Sequence, residues 1–469
     1  MARIVVVGGG FVGLATALGL AREGHDVTVL EKDPDRLPGY PGDAWQAWQR
    51  PGIAQFRQPH MVQAAGSQIL AGFLPEVQQA LLGAEAASFD LLSNMPPFIE
   101  DRASRPGDER FVAVTARRPV LEYAIAGTAE GSVDVRRGVA VTELLTGQQA
   151  APGVPHVTGV RTSSGEHLAA DLIIDSMGRG SVLPRWLADL GARPLTEQAE
   201  DSGFTYYSRY FRAPTGALPQ FVTGLLTPFD CYSLLTVPGD AGTWSVTIYI
   251  SSRDQALKEL RHEEKWSAMV KACPLHAHFL DGEPLTDVWP MSGVVDRHRR
   301  AVVGGAPVVT GVISVGDSVC CSNPSLGRGI SLGLMQAVGT VEVVRDHLGD
   351  PVAFALAHDQ MIQDRVMPWY WNTVGLDRGR KAEMDAAING QPAQRSDGRP
   401  ASALESLFVA MLYDADIFRA CIEFFSVLAL PEQILARPGV SDRVTAIASE
   451  RDALPAPGPS RSDLLRLLA

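Results

Sequence analysis

The chain has 469 residues, 46% hydrophobic and 20% charged, the composition of a soluble globular protein with two to three domains. A formal net charge of −12 speaks against a nucleic-acid partner or an anionic membrane surface, and no apolar run is long enough to span a bilayer. The five cysteines (Cys231, Cys273, Cys320, Cys321 and Cys421) are odd in number and lack metal-ligand spacing, and residues 2 to 7 read as a strand rather than a signal peptide, so a cytoplasmic protein with reduced thiols is expected.

The first thirty-one residues read as one nucleotide-binding unit. Ile4 to Val7 is a β-branched run suited to a buried parallel strand. It stops at Gly8-Gly9-Gly10-Phe11-Val12-Gly13, which fits G-x-G-x-x-G. Leu14, Leu18 and Ala21 recur at helical spacing, and Gly24 closes the helix. Val27 and Val29 lie in a second strand ending at Glu31, with Lys32 beside it. Gly8 permits the tight turn, Gly10 admits a pyrophosphate, and Gly13 lets helix and strand approach. The helix N-terminus turns unpaired N–H groups toward the phosphates. Glu31, eighteen residues beyond Gly13, suits a ribose hydroxyl pair and argues against a 2′-phosphate, leaving FAD or NAD rather than NADP.

From Glu31 to His60 the chain is rich in Pro, Gly, Trp and Gln, a loop over the nucleotide. Gln68 to Leu82 is helical, Pro106 to Glu109 is a turn, and Arg117-Arg118-Pro119 opens a helix. Val133 to Leu145, Val157 to Arg161 and Leu172 to Ile174 read as strands. After Gly203 the texture changes: Phe204 to Phe211, Tyr232 to Val237 and Trp244 to Ile250 predict an antiparallel sheet. Lys258 to Val270 is helical. Val312 to Val315 is again a buried strand, followed by a glycine-rich turn and a long helix from about 329 to 348. Gln391 to Pro400 is a polar linker, and helices fill the remainder, including a buried one at Ala420 to Leu430.

The second glycine turn decides the cofactor. Gly316-Asp317 ends the late strand, and Pro324, Gly327, Arg328 and Gly329 lead into the helix. An Asp at a strand end accepts a ribityl or ribose hydroxyl, and a helix start favours the negative charge of reduced flavin. One long ligand, FAD, touches both turns. The predicted fold is α/β: a Rossmann-type FAD-binding domain (1–85, 105–200 and 296–380) with an inserted antiparallel β-sheet substrate domain (86–104 and 201–295) and a C-terminal helical region (381–469).

Gly8, Gly10 and Gly13 with Glu31, then Arg118-Pro119-Val120-Leu121, Asp175-Ser176-Met177-Gly178-Arg179-Gly180-Ser181, and Gly316-Asp317 with Pro324, Gly327 and Gly329 resemble the FAD-dependent monooxygenases of the para-hydroxybenzoate hydroxylase fold. The resemblance covers about residues 1 to 380. It implies that Arg118 contacts the flavin, that Asp317 holds the ribityl chain, and that the adenine rests near Val141. Met177-Gly178 stands where direct NADPH users commonly carry Asp-Gly. That form is similar to the variant in epoxidases, halogenases and geranylgeranyl reductases. The electron source is therefore NAD(P)H or a separate flavin reductase.

Tyr206, Arg209 and Tyr232 are the candidate substrate residues. Arg209 alternates with Tyr207 and Phe211 on one face of its strand, and Phe204, Tyr206 and Tyr210 form the other; either face could line the pocket. Cys320-Cys321 reads as packing under the loop. His60, His298 and the run Arg297 to Arg300 read as structural or solvated, and Trp369 to Trp371 as core. No residue stands out as a catalytic base or nucleophile, and the catalytic residues stay unnamed. The expected reaction is hydroxylation or epoxidation of an apolar or aromatic small molecule with O2 through a flavin C4a-hydroperoxide, in secondary metabolism such as antibiotic biosynthesis. The alternatives are a reductase or dehydrogenase of the geranylgeranyl-reductase type, and a flavoprotein that binds FAD without catalysis.

Overall fold

The computed structural model describes residues 1–53, 55–391 and 402–469; apart from Gln391, the polar linker lies outside them. In chain order the strands that build the site are β1 (Arg3–Val7), β2 (Asp26–Glu31), β3 (Asp134–Arg137), β4 (Leu172–Asp175), β5 (Phe204–Arg212), β6 (Tyr232–Pro238), β7 (Thr243–Ser251) and β8 (Val312–Ser314). The helices are α1 (Phe11–Arg22), α2 (Arg118–Glu130), α3 (Gly329–His347), α4 (Met367–Ile388) and α5 (Ala415–Phe425).

Five strands form a parallel sheet in the order β8-β4-β1-β2-β3. Ile4, Val6, Val29 and Ile174 enter one apolar layer, shared with α1, α2 and α3. Val5, Val7, Leu30 and Ile173 enter the layer on the opposite face. A sheet covered on both faces needs apolar residues at consecutive positions, which is why β1 reads as an unbroken aliphatic run. Burial of each such side chain is worth about 1.5–3 kcal/mol. β8 joins this sheet from more than a hundred residues downstream of β4, so the parallel sheet draws on separated stretches of the chain, with the antiparallel sheet between them in sequence.

The inserted sheet has β5 and β7 at its centre, with Tyr206 opposite Tyr249, and β6 on the far side of β7. One face packs on the helix Glu263–Lys271 and on the last helix, Arg461–Leu468, whose Leu464 and Leu468 are buried there. The C-terminal chain thus returns to the inserted domain.

Several elements differ from their sequence reading. The stretch 68–82 is two helices, Ala64–Phe73 and Pro75–Gly83, because a proline cannot donate the next helical hydrogen bond. Ala87–Asp90, assigned to the substrate sheet, instead pairs with Val112–Arg117 in a small separate sheet that also holds Pro59–Val62. The charge run 297–300 is a strand, not a solvated face: Val295–Arg300 pairs with Thr196–Asp201, Glu197 meets Arg297 and Arg299, and His298 is buried. Trp369 and Tyr370 are core, whereas Trp371 is exposed. α5 begins before Ala420 and ends at Phe425, started by Asp414, whose carboxylate accepts from the Asp416 and Ile417 N–H groups. Among the described residues, no helix is long and apolar enough to cross a membrane.

Candidate active site

The first glycine turn is built by contact. The Gly8 N–H donates to the Leu30 carbonyl at 2.8 Å, and its φ of +112° places it in a region few side chains enter. A β-carbon on Gly13 would lie 2.3 Å from the Gly8 carbonyl oxygen and from Ser176 Oγ, so only glycine allows this approach. A β-carbon on Gly10 would meet nothing within 4 Å, the clearance a pyrophosphate needs. No side chain caps α1, leaving its first N–H groups for a ligand. The Phe11 side chain is buried in the core, and Val12 packs where β-carbons on Gly316 and Gly333 would stand, 3.3 Å and 2.3 Å away. Both therefore offer a ligand their backbone rather than their side chains.

Ser176 Oγ donates to the Gly8 carbonyl at 2.6 Å, and beside it a buried carboxylate fastens the Asp175–Ser181 segment to the second glycine turn. Asp175 Oδ1 accepts from the Met177 N–H at 3.0 Å and Ser318 Oγ at 3.1 Å; Oδ2 accepts from Ser181 Oγ at 2.6 Å and Ser314 Oγ at 3.0 Å. Ser318 Oγ in turn accepts the Gly178 N–H at 2.9 Å. Burial raises the Asp175 carboxyl above its ordinary range, against these hydrogen bonds.

Gly316 is anchored by its N–H, which donates to Gln336 Oε1 at 2.7 Å. The next residue, Asp317, is surrounded by protein yet its side chain is accessible, so it faces an interior space. Burial raises its carboxyl, and the guanidiniums of Arg179 and Arg118 draw it back. His60 is likewise wrapped by protein and half-accessible. Burial and the nearby Arg118 push its imidazole down to about 3, so it is neutral at physiological pH. Gly329 is accessible at the start of α3, and Gln63 Nε2 donates to the Leu326 carbonyl at 3.0 Å, holding the Pro324–Gly327 turn. Asp317, His60, Arg118, Arg179 and this turn thus converge on one space. Its open glycines, accessible carboxylate and flanking cations fit FAD.

Other sequence-derived residues stand elsewhere. Glu31 is buried with its carboxylate engaged: Oε2 accepts from the Gly9 N–H and Arg50 Nη2, and Oε1 from the Asp33 N–H, each at 2.8 Å. Lys32 is exposed. Val141 opens the strand Val141–Thr146 and packs on the apolar layer of Leu30 and Leu144. The Arg328 side chain is a correction. It points away from the glycine turn, with Nη1 donating to Asn372 Oδ1 and Thr373 Oγ1 and Nη2 to the Phe424 carbonyl, because the helices α4 and α5 supply the only acceptors in reach of its buried guanidinium among the described residues.

The faces of β5 are now distinguished. Tyr206 faces the nucleotide domain, donating to Asn323 Oδ1 at 2.6 Å immediately before the Pro324 turn. On that face too, Ser208 Oγ donates to Gln58 Oε1 at 3.0 Å, and Tyr210 packs on Trp45 at 4.8 Å between ring centroids. Arg209 and Tyr232 are corrections, since strand alternation puts both on the covered face. Arg209 donates to Glu263 Oε1 at 2.6 Å and the Thr286 carbonyl at 2.9 Å; Tyr232 stacks on Phe229 at 4.4 Å and contacts Cys273 Sγ at 3.2 Å. Cys320 and Cys321 are both buried with free thiols on a short strand opposite His298 and Arg297, which turns adjacent side chains to opposite sides.

Sequence reading missed Arg117, whose guanidinium forms a buried ion pair with Asp240 (Nη2 to Oδ2 2.6 Å, Nε to Oδ1 3.0 Å) and ties the nucleotide domain to the β6–β7 hairpin. It also did not connect Arg137 with Trp48 and Arg50, which cluster at the edge of the parallel sheet. No spacing rule connects these residues.

Residues 3–198 match the family described as FAD dependent oxidoreductase. Over 358 residues the chain is 28% identical to Protein Rv3254 of Mycobacterium tuberculosis, covering 71% of each chain. Its fold is similar to p-nitrophenol 4-monooxygenase PnpA of Pseudomonas putida DLL-E4 (TM-score 0.59, 17% identity, 92% of this chain and 100% of that one). It is also similar to the Diels-Alderase PyrE3 of pyrroindomycin biosynthesis (TM-score 0.55, 15% identity, 91% of this chain and 81% of that one). Residues 3–198 thus resemble the FAD dependent oxidoreductase family, and the chain as a whole shares the fold of p-nitrophenol 4-monooxygenase PnpA.

Proposed function

We propose that this protein is a monooxygenase that hydroxylates or epoxidises an apolar or aromatic small molecule in cytoplasmic secondary metabolism. The observation that carries the reading is the inserted sheet's inner face, where Tyr206, Tyr210 and Tyr249 turn toward the Pro324 turn and the loop of Trp45 to His60. Bound FAD supplies the redox chemistry. The chain's residues bind, orient and exclude water. Gly10 and the α1 N-terminus receive the pyrophosphate, and Asp317 accepts a ribityl hydroxyl. The Arg117–Asp240 pair and the Trp45–Tyr210–Trp289 cluster close the seam between the domains against solvent. Neutral His60 can exchange a hydrogen bond there without adding charge. PnpA is named for p-nitrophenol and PyrE3 for pyrroindomycin biosynthesis, and the former is in keeping with an aromatic substrate.

The second reading is a reductase of the geranylgeranyl-reductase type, favoured by the Asp175 to Ser181 motif with Met177 in place of Asp. The two separate when chemically reduced holoenzyme is mixed with isotopically labelled dioxygen and a panel of phenols and fused-ring aromatics. Labelled oxygen in an organic product supports the monooxygenase. Reduced organic product without label selects the reductase, and no product from any donor leaves a non-catalytic flavoprotein.

A further inference from the structure

The segment from Asn323 to Ser325, which opens the Pro324–Gly327 turn, is held from three elements at once. From β5, Tyr206 Oη donates to Asn323 Oδ1 at 2.6 Å. From the strand Val295–Arg300, Asp296 Oδ1 accepts the Asn323 N–H at 2.6 Å. From α4, Asp377 Oδ1 accepts from Ser325 Oγ at 2.7 Å. All five residues are buried. Asn323 Nδ2 and Asp377 Oδ2 close no hydrogen bond among the described residues, although the Asn323 carboxamide lies near enough to the Asp377 carboxyl to oppose the rise that burial imposes on it.

Two buried carboxyls thus pull on residues two apart in the chain. Burial, with Asp296 close by, holds the Asp377 carboxyl at about 7 against Ser325, Asn323 and Arg328, so its proton exchanges near neutral pH. The other groups that face it keep their state there. Burial brings Arg328, at the start of α3, down only to about 9, and it raises the phenols of Tyr206 and Tyr249, the latter to about 12. Behind Asp296, itself raised by burial, stand Glu200, Asp201 and Arg378. Neutral Asp377 accepts from Ser325 and leaves Asn323 to Tyr206. Ionised, it becomes a buried anion near Asp296 and competes with Tyr206 for the Asn323 carboxamide. Both effects pull on the segment that carries the turn.

We propose that Asp377 is a positioning residue for the cofactor site: with its proton it lets Asn323 and Ser325 seat the Pro324–Gly327 turn against β5, and without it the turn holds FAD less tightly. This rests on the reading that the turn meets FAD. The sign follows from linkage: bound FAD favours the protonated carboxyl, so affinity is greatest below about pH 5 and falls as pH rises through about 7.

Full-chain apoprotein is titrated with FAD by flavin fluorescence at pH 5 and pH 8, well below its melting temperature at each. Asp377→Asn keeps an acceptor for Ser325 and cannot ionise. It should match wild type at pH 5 and bind FAD at least threefold more tightly than wild type at pH 8. Ser325→Ala keeps the ionising carboxyl but cuts its hold on the turn, and should shrink the wild-type difference between the two pH values. An affinity ratio of wild type to Asp377→Asn that is the same at both pH values would overturn the proposal, since a merely structural role moves both alike. So would a full pH dependence in Ser325→Ala, which decides the matter alone if Asp377→Asn does not fold. Wild-type apoprotein that takes up no FAD at either pH would overturn the cofactor reading itself, and this coupling with it.

Discussion

Ser318 Oγ donates to Asp175 Oδ1 at 3.1 Å while accepting the Gly178 N–H at 2.9 Å, so one hydroxyl holds together two turns that lie 140 residues apart in sequence. The nucleotide domain closes through this contact, and the carboxylate is its hub. Asp175→Ala strands the Met177 N–H and three serine hydroxyls and should cost about 3 kcal/mol or more, whereas Ser318→Ala should cost about 1 kcal/mol. Denaturant titration of the two variants checks the order; a smaller loss for Asp175→Ala would remove the hub role.

Asp317 and Cys320 separate ligand binding from packing. Asp317 faces the interior space, and loss of a charge-assisted hydrogen bond to a buried hydroxyl costs about 1.5–3 kcal/mol. The Cys320 thiol is buried and its proton affinity pushed up to about 12 by burial, the condition of an inert packing cysteine. Asp317→Ala should therefore weaken FAD binding far more than Cys320→Ala. Equal affinities in apoprotein titrations would contradict these roles.

Asp377 predicts a dependence of stability on pH. Its Oδ1 accepts from Ser325 Oγ at 2.7 Å, and burial raises the carboxyl from 3.8 to about 7. A raised folded value means the folded state binds the extra proton between those limits. The associated stability is complete below about pH 4 and is lost as pH rises through about 7. Asp377→Asn cannot ionise, so its stability relative to wild type should be greater at pH 8 than at pH 5. A difference that is the same at both pH values would contradict the assignment.

The two faces of β5 give a third contrast. Tyr206→Phe and Tyr210→Phe alter the face turned toward the Pro324 turn and the Trp45 loop, and should change KM or kcat for the organic substrate. Arg209→Ala breaks the Glu263 ion pair on the covered face and should change stability alone. Steady-state kinetics with any accepted substrate, beside thermal melts, distinguishes them.

Met177 bears on the electron source. NADH or NADPH alone should reduce the bound flavin slowly, and an added flavin reductase or chemical reductant should restore turnover. Anaerobic stopped-flow mixing measures this directly. Fast bleaching by NADPH, accelerated by substrate, would instead mean that this chain docks the nicotinamide nucleotide itself.

The sequence alone determined the nucleotide unit, because its signal is local. A β-branched run, glycines at fixed spacing and a helical apolar stripe each dictate backbone conformation within a few residues. The same logic identified β4 and β8 as buried parallel strands and β5 to β7 as antiparallel. The tertiary structure decided everything that depends on which surface meets which. Alternation along β5 divided Tyr206 from Arg209, but period two carries no sign, and only the helix Glu263–Lys271 packing on one side chose the inward face. Arg328 sits inside a glycine motif, yet its guanidinium is claimed by Asn372, Thr373 and Phe424 from helices farther along the chain. Trp48, Arg50 and Arg137 carry no motif. A loop fold and a strand register brought them together, and such long-range contacts leave no periodicity in the sequence.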